Sequence, residues 1–125
     1  MPASTITQLR SAAVHVVDQD AAIAFYRDTL GFDVRLDTGP GPMGRWIEVA
    51  PQGATTTIAL IAAADPAFAG SDTGIRLTAA DVDADHAALA DAGVDVDPEV
   101  ARWPGVPPMF SFRDPEGNIL YLIEG

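Results

Sequence analysis

The sequence predicts an α+β fold made of two tandem βαβββ modules. Three observations predict it. Phe112-Arg113-Asp114-Pro115-Glu116-Gly117-Asn118-Ile119-Leu120-Tyr121-Leu122-Ile123 reads as strand, tight turn, strand. Proline pre-sets φ at the second turn position, glycine supplies φ > 0 near its end, and Ile119–Ile123 is a short β-prone apolar run. A weaker copy of this hairpin stands earlier, as Pro51-Gln52-Gly53 followed by Thr57-Ile58-Ala59-Leu60-Ile61. Finally, Gly31 and Gly93 each stop a helical pattern, and Asp33-Val34 after the first echoes Asp95-Val96 after the second. The repeat is half the chain, longer than the ~20–50-residue periods of solenoids.

The elements follow in order. Met1 to Gln8 is a polar lead-in, and Ala12 to Val17 reads as a strand. Asp18 offers an N-cap and Asp20 adds negative charge to the first turn of a helix over Gln19–Leu30. Ala22, Phe25, Tyr26 and Leu30 share one face of that helix, and Gly31 ends it. Phe32–Leu36 is a second strand. Gly39-Pro40-Gly41-Pro42 fits neither a helix nor a central strand, so it is a loop. Arg45–Ala50 and Thr55–Ile61 form the first hairpin. After a linker at Ala62–Thr73 the order repeats: a strand at Ile75–Ala79, a helix opened by Asp81 and Asp83 and closed by Gly93, and a strand starting at Val94-Asp95-Val96. A proline-rich loop over Pro98–Pro108 leads to the hairpin at Met109–Ile123. One domain is expected over residues 1–125, with module one at about 9–62, the linker at 63–73 and module two at about 74–124.

Composition excludes several chemistries. A chain of 125 residues, 48% hydrophobic and 20% charged, is long and apolar enough for one real core. It has no cysteine, which removes disulfides, thiolate metal sites and a cysteine nucleophile. All seven basic residues are arginine, so Schiff-base chemistry on lysine is absent too. A net charge of −11 repels a phosphate backbone, so nucleic acid is not an expected partner. No apolar run spans a bilayer and the N-terminus lacks a signal-peptide pattern, so no membrane partner is expected and the expected location is the cytoplasm.

Three stretches carry a resemblance. Val17-Asp18 leads to Phe25-Tyr26 and Leu30-Gly31-Phe32. Asp81-Val82-Asp83-Ala84 leads to Gly93-Val94. Phe112 to Asn118 follows. In this order and spacing, covering Ala12–Glu124, they resemble the vicinal oxygen chelate superfamily, which includes glyoxalase I, extradiol dioxygenases, fosfomycin-resistance enzymes and bleomycin-resistance proteins. The resemblance implies two modules whose curved mixed sheets enclose a cavity. In the family's metalloenzymes four cavity-facing strand residues hold a divalent metal. The matching positions here are Ser11, Ala59, Gly74 (Ile75 if the strand slips by one) and Tyr121. None is a histidine or a carboxylate, the donors such ions need. The resemblance therefore implies the fold without its metal chemistry, and no metal or other cofactor is expected.

Strand side chains alternate faces. With Ser11 facing the cavity, so do Ala13 and His15, while Val14 and Val16 pack on the helix. Gly74, Arg76 and Thr78 share the cavity face in module two. Thr57, Ala59 and Ile61 face in from the first hairpin, and Ile119, Tyr121 and Ile123 from the last. Ile47 and Val49 read as core, which turns Trp46 and Glu48 toward the cavity. His15 is a candidate hydrogen-bonding or acid/base group. Arg76 either pairs with Glu48 or receives an anionic group of a ligand. Trp46, Trp103, Phe110 and Tyr121 are candidates for an aromatic lining, with Trp103 in its loop as a lid or interface anchor. His86 reads as solvent-exposed and without function.

The ligand-binding set is thus His15, Trp46, Glu48, Arg76, Trp103, Phe110 and Tyr121. The function these residues suit best is a metal-free small-molecule-binding protein, similar to bleomycin-resistance proteins and acting as a homodimer. The alternative is an enzyme: a metal-independent isomerase or lyase using His15 or Tyr121, or a metalloenzyme whose ligands are displaced to Glu48 and His15.

Overall fold

Each half of the chain closes one mixed sheet, and the second repeats the topology of the first. The structure is a computed structural model describing residues 3–41 and 44–125. Met1 and Pro2 of the lead-in and Pro42 of the proline-glycine loop lie outside the described residues. In module one, β1 (Ser11–Val16) runs parallel to β4 (Thr57–Ala62), which pairs antiparallel with β3 (Ile47–Ala50), which pairs with β2 (Asp33–Asp37). In module two, β5 (Asp72–Ala79) runs parallel to β9 (Ile119–Glu124), followed by β8 (Val106–Arg113) and β6 (Asp95–Val96). The orders β1-β4-β3-β2 and β5-β9-β8-β6 are one pattern used twice. Among the described residues no helix is long and apolar enough to cross a membrane.

Both helices start as their caps dictate. The Asp18 side chain accepts from Ala21 N at 3.0 Å to open α1 (Gln19–Ala24), and Asp81 accepts from Ala84 N at 3.1 Å to open α2 (Val82–Asp91). The first helix differs from a uniform α-helix to Leu30. From Phe25 to Thr29 it widens into a π-helical turn, with Leu30 N bonding Phe25 O. Phe25 and Tyr26 are both buried there, which lets Tyr26 reach across to the other module.

The expected loop over Pro98–Pro108 is a hairpin instead. β7 (Ala101–Trp103) pairs with β8 around Pro104-Gly105, with Trp103 opposite Val106. Pro107 and Pro108 fall among the first residues of β8, ahead of Met109, where its pairing with β9 begins.

One core serves both modules. It joins Val14, Val16, Phe25, Tyr26, Leu60, Phe110, Phe112 and Leu120, with Phe25 and Phe112 rings 6.4 Å apart. The Asp114–Asn118 turn fastens the modules to each other. Glu116 accepts from the backbone N–H groups of Val17 (2.6 Å) and Asp18 (2.8 Å), just ahead of α1. Tyr26 Oη donates to Asp114 Oδ2 at 3.1 Å; burial, reinforced by the neighbouring Asp114 charge, raises the Tyr26 pKa and keeps its proton on. Asn118, fully buried, donates to the His15 carbonyl and the Asp114 carboxylate and accepts from Gly70 N and Ser71 N. The chain thus uses this turn as the joint between its halves.

Gly117 sits in that turn at φ 83°, with its N–H on Asp114 O. A β-branched residue is strongly disfavoured in that backbone region. Gly117→Val should therefore cost about 2 kcal/mol, read as a lowered urea midpoint with an unchanged m-value. A midpoint equal to wild type would mean the turn relaxes without strain.

Candidate functional site

The register of the two sheets decides which side chains share a face. On the first sheet, Ser11 opposes Thr57, Ala13 opposes Ala59 and His15 opposes Ile61, with Glu48 next to Ala59 on β3. Val14 and Val16 are buried on the helix side while Ala13 and His15 are exposed, as alternation requires. On the second sheet, Arg76, Tyr121 and Ser111 form one row and Thr78, Ile123 and Met109 the next. Each module therefore presents one polar-rimmed face away from its helix.

Glu48 is the buried acid of the first face, 4% exposed. Trp46 Nε1 donates to its Oε2 at 2.7 Å, Thr57 Oγ1 to its Oε1 at 2.7 Å, and Arg10 Nη2 lies 3.3 Å from Oε2. The indole N–H, the Thr57 hydroxyl and the Arg10 charge together outweigh desolvation, so the carboxyl stays below its ordinary pKa. Of the two roles open to Arg76, one was a pair with Glu48. The structure gives Glu48 Arg10 instead, because Arg76 belongs to the other sheet.

On the second face Arg76 lies over the Tyr121 ring, 5.2 Å from its centroid, and donates to the carbonyl of Gly74 at 2.8 Å. Tyr121 Oη donates to Asp72 Oδ2 at 2.7 Å, which raises the phenol pKa and lowers that of the carboxyl. Beside them Asp97 accepts from Ser111 N and Oγ and from Arg113. Burial works against the Asp97 charge, but the Ser111 amide, the single Arg113 hydrogen bond and the Ser111 hydroxyl outweigh it, and its pKa falls. Arg76 has no carboxylate partner among the described ion pairs, so its remaining N–H groups are available. Arg76→Met should change stability by no more than about 1 kcal/mol, the loss of one exposed cation–π contact and one exposed hydrogen bond to a carbonyl that water can replace. A loss of several kcal/mol would mean that the guanidinium is structurally paired after all.

The structure does not gather the seven expected residues into one pocket. Trp46 and Glu48 touch, Arg76 and Tyr121 touch, and His15 shares the face of Glu48. Among the described residues no hydrogen bond or ion pair joins the two groups. Phe110 leaves the set: it is 2% exposed in the core, edge-to-face with His86 at 5.0 Å. The reason is alternation, since Ser111 lies beside Tyr121 and its neighbour must point the other way. His86 is not solvated, as expected of it, but half-buried, with Nε2 2.6 Å from the Asp97 carbonyl. Trp103 is 58% exposed at the tip of its hairpin, opposite Val106 on β8. A separate apolar groove of about 280 Å³ runs along the module seam, lined by Leu30, Phe32, Pro51, Leu77, Leu89 and Leu122. Sequence reasoning missed Arg10, Thr57 and Asp72 as partners; the polar Thr57 facing Glu48 across a predicted hairpin was the one available signal.

The positions matching the family's metal ligands do not fit a divalent ion. Ser11 and Ala59 lie on one sheet, Gly74 and Tyr121 on the other, and the Tyr121 hydroxyl is committed to Asp72. Two hydroxyls, a methyl and a hydrogen are no donor set for such a metal. Among the described residues no group of three or more His, Cys, Asp or Glu is placed to hold a metal ion.

Comparison with known proteins gives one consistent match. Residues 8–122 match the family described as the glyoxalase/bleomycin resistance protein/dioxygenase superfamily. An uncharacterized protein, YetH of Bacillus subtilis (strain 168), is 32% identical over 95% of this chain and 99% of its own. The crystal structure of TnmS3, an antibiotic binding protein from Streptomyces sp. CB03234, superposes with a TM-score of 0.84 at 38% identity, covering 97% of this chain and 98% of that one. A superfamily member from Sphaerobacter thermophilus DSM 20745 superposes with a TM-score of 0.88 at 33% identity, covering 98% and 100%.

Proposed function

Because the chain belongs to the glyoxalase/bleomycin resistance protein/dioxygenase superfamily, we propose that it is a small-molecule-binding protein that acts without a metal ion. The observation that carries this reading is the pair of helix-free sheet faces, each with a fixed charge and an aromatic ring: Glu48 with Trp46, and Arg76 with Tyr121. Ligand sites combine apolar body contacts with a few placed polar groups. The likeness to TnmS3, an antibiotic binding protein, supports an antibiotic-like small molecule as the ligand. His15 adds a hydrogen-bonding group on the first face.

The active form is a homodimer. Ile6 and Leu9, three residues apart on the extended segment before β1, are 85% and 70% exposed, and a second copy that covers them removes apolar surface from water. Sedimentation velocity at micromolar concentration should give twice the chain mass.

A thermal-shift screen of aromatic natural products, repeated with excess chelator, tests the function. Hits should raise the melting temperature by mass action and quench tryptophan fluorescence, and chelator should leave both effects intact. Loss of every hit on chelation would overturn the metal-free reading. A broad screen without hits would overturn the binding reading.

A further inference from the structure

We propose that Glu48 is the group that receives a cation, and that Arg10 is its displaceable resident. A ligand's amidinium or protonated amine takes Arg10's place at Glu48 Oε2, while its aromatic body lies along the Trp46 indole. This rests on the small-molecule reading above and adds the charge class of the ligand.

The three donors to Glu48 are unequal. Trp46 Nε1 and Thr57 Oγ1 both sit at 2.7 Å, whereas Arg10 makes one contact at 3.3 Å with a side chain that is 76% exposed. The chain builds a firm structural fork elsewhere: Arg45 grips Asp37 through two bonds of 2.9 and 2.8 Å and Asp20 through a third. Arg10 has no such grip. Its backbone is nevertheless fixed, since Thr57 N donates to the Arg10 carbonyl and Thr56 Oγ1 to the Leu9 carbonyl. The guanidinium can therefore swing out without unzipping β4.

The side chains beside the carboxylate are small. Ala13, Ala59 and Glu48 stand in register across three strands, so two methyl groups are the only side chains in the acid's row on that flank. Ser11 and Thr57 form the next small row. The Trp46 N–H bond fixes its ring, yet the residue is 45% exposed, so the indole keeps a free surface for a flat or cationic body. A carboxylate out of bulk water attracts a cation far more strongly than one on the surface. Held below its ordinary pKa, it remains charged at neutral pH. The net charge of −11 favours the approach of a cation as well.

The test compares benzamidine with benzamide, which share a shape and differ in charge, on the full chain. Binding is followed by calorimetry and by the Trp46 indole N–H resonance. Wild type should bind benzamidine more tightly than benzamide. Arg10→Gln, on an exposed side chain, should tighten benzamidine about threefold to tenfold by removing the competitor, and leave benzamide unchanged. Glu48→Gln should weaken benzamidine roughly tenfold or more with benzamide again unchanged, its fold verified by circular dichroism. If Glu48→Gln does not fold, Arg10→Gln and the indole resonance carry the test. Equal affinity for the two probes in wild type, no tightening in Arg10→Gln, or an unmoved Trp46 N–H at saturation overturns the proposal. Benzamide bound as well as benzamidine defeats only this charge assignment. A protein that binds neither probe and gives no screening hit loses the small-molecule reading with it.

Discussion

Asn118→Ala should destabilise the protein by about 3–5 kcal/mol. The side chain is fully buried and uses all of its hydrogen-bonding capacity. Its oxygen takes Gly70 N at 2.8 Å and Ser71 N at 3.1 Å, and its nitrogen reaches His15 O and Asp114 Oδ2, each at 3.0 Å. Alanine leaves two amides, a carbonyl and one carboxylate lone pair short of a partner in the seam. Each stranded group costs about 1–3 kcal/mol, lessened where water enters. Folded domains are stable by only about 5–15 kcal/mol in total, so the loss is a large share. In a melt it appears as a fall on the order of 10–20 °C in Tm. Asn118→Asp keeps the acceptor for Gly70 and Ser71 but turns an oxygen toward the His15 carbonyl and the Asp114 carboxylate. It should also destabilise, and more at neutral pH than in acid, where the new carboxyl is protonated and can donate. A Tm for Asn118→Ala within a few degrees of wild type would show that the joint does not depend on this residue.

Gly70→Ala should cost about 2–4 kcal/mol. Two penalties meet at this position. Its φ is 80°, where an L-residue pays about 1–2 kcal/mol. A Cβ there would also stand 2.9 Å from the carbonyl oxygen of Glu116, a backbone atom that cannot rotate aside. Glu116 holds the amides at the start of α1, so displacing it loosens the helix entry as well. Gly117→Ala separates the penalties, because its Cβ would meet Gly70 Cα at an ordinary 3.8 Å and only the φ cost applies. Urea denaturation of both variants gives the comparison. Equal losses would mean that the close approach at Gly70 relaxes without cost.

These two positions mark where the sequence is legible. The turn at Asp114–Asn118 can be read from its residues alone, since proline and glycine impose φ locally. That the turn clamps the other module cannot. Nothing near Asn118 in the chain points to the His15 carbonyl, 103 residues away.

The sequence by itself determined the repeat, the capped helix starts at Asp18 and Asp81, the β3–β4 and β8–β9 hairpins and the inward face of β1. All of these depend on groups within a few residues of one another or on strict two-residue alternation. It misjudged Phe110 only because that alternation was not carried from Tyr121 across the hairpin. The tertiary structure alone decided which cation meets Glu48, that His86 packs on Phe110, and that Trp103 stands on a hairpin rather than in a loop. Charged and aromatic side chains choose partners by distance in space, and that distance is set only when two sheets and their joint are in place.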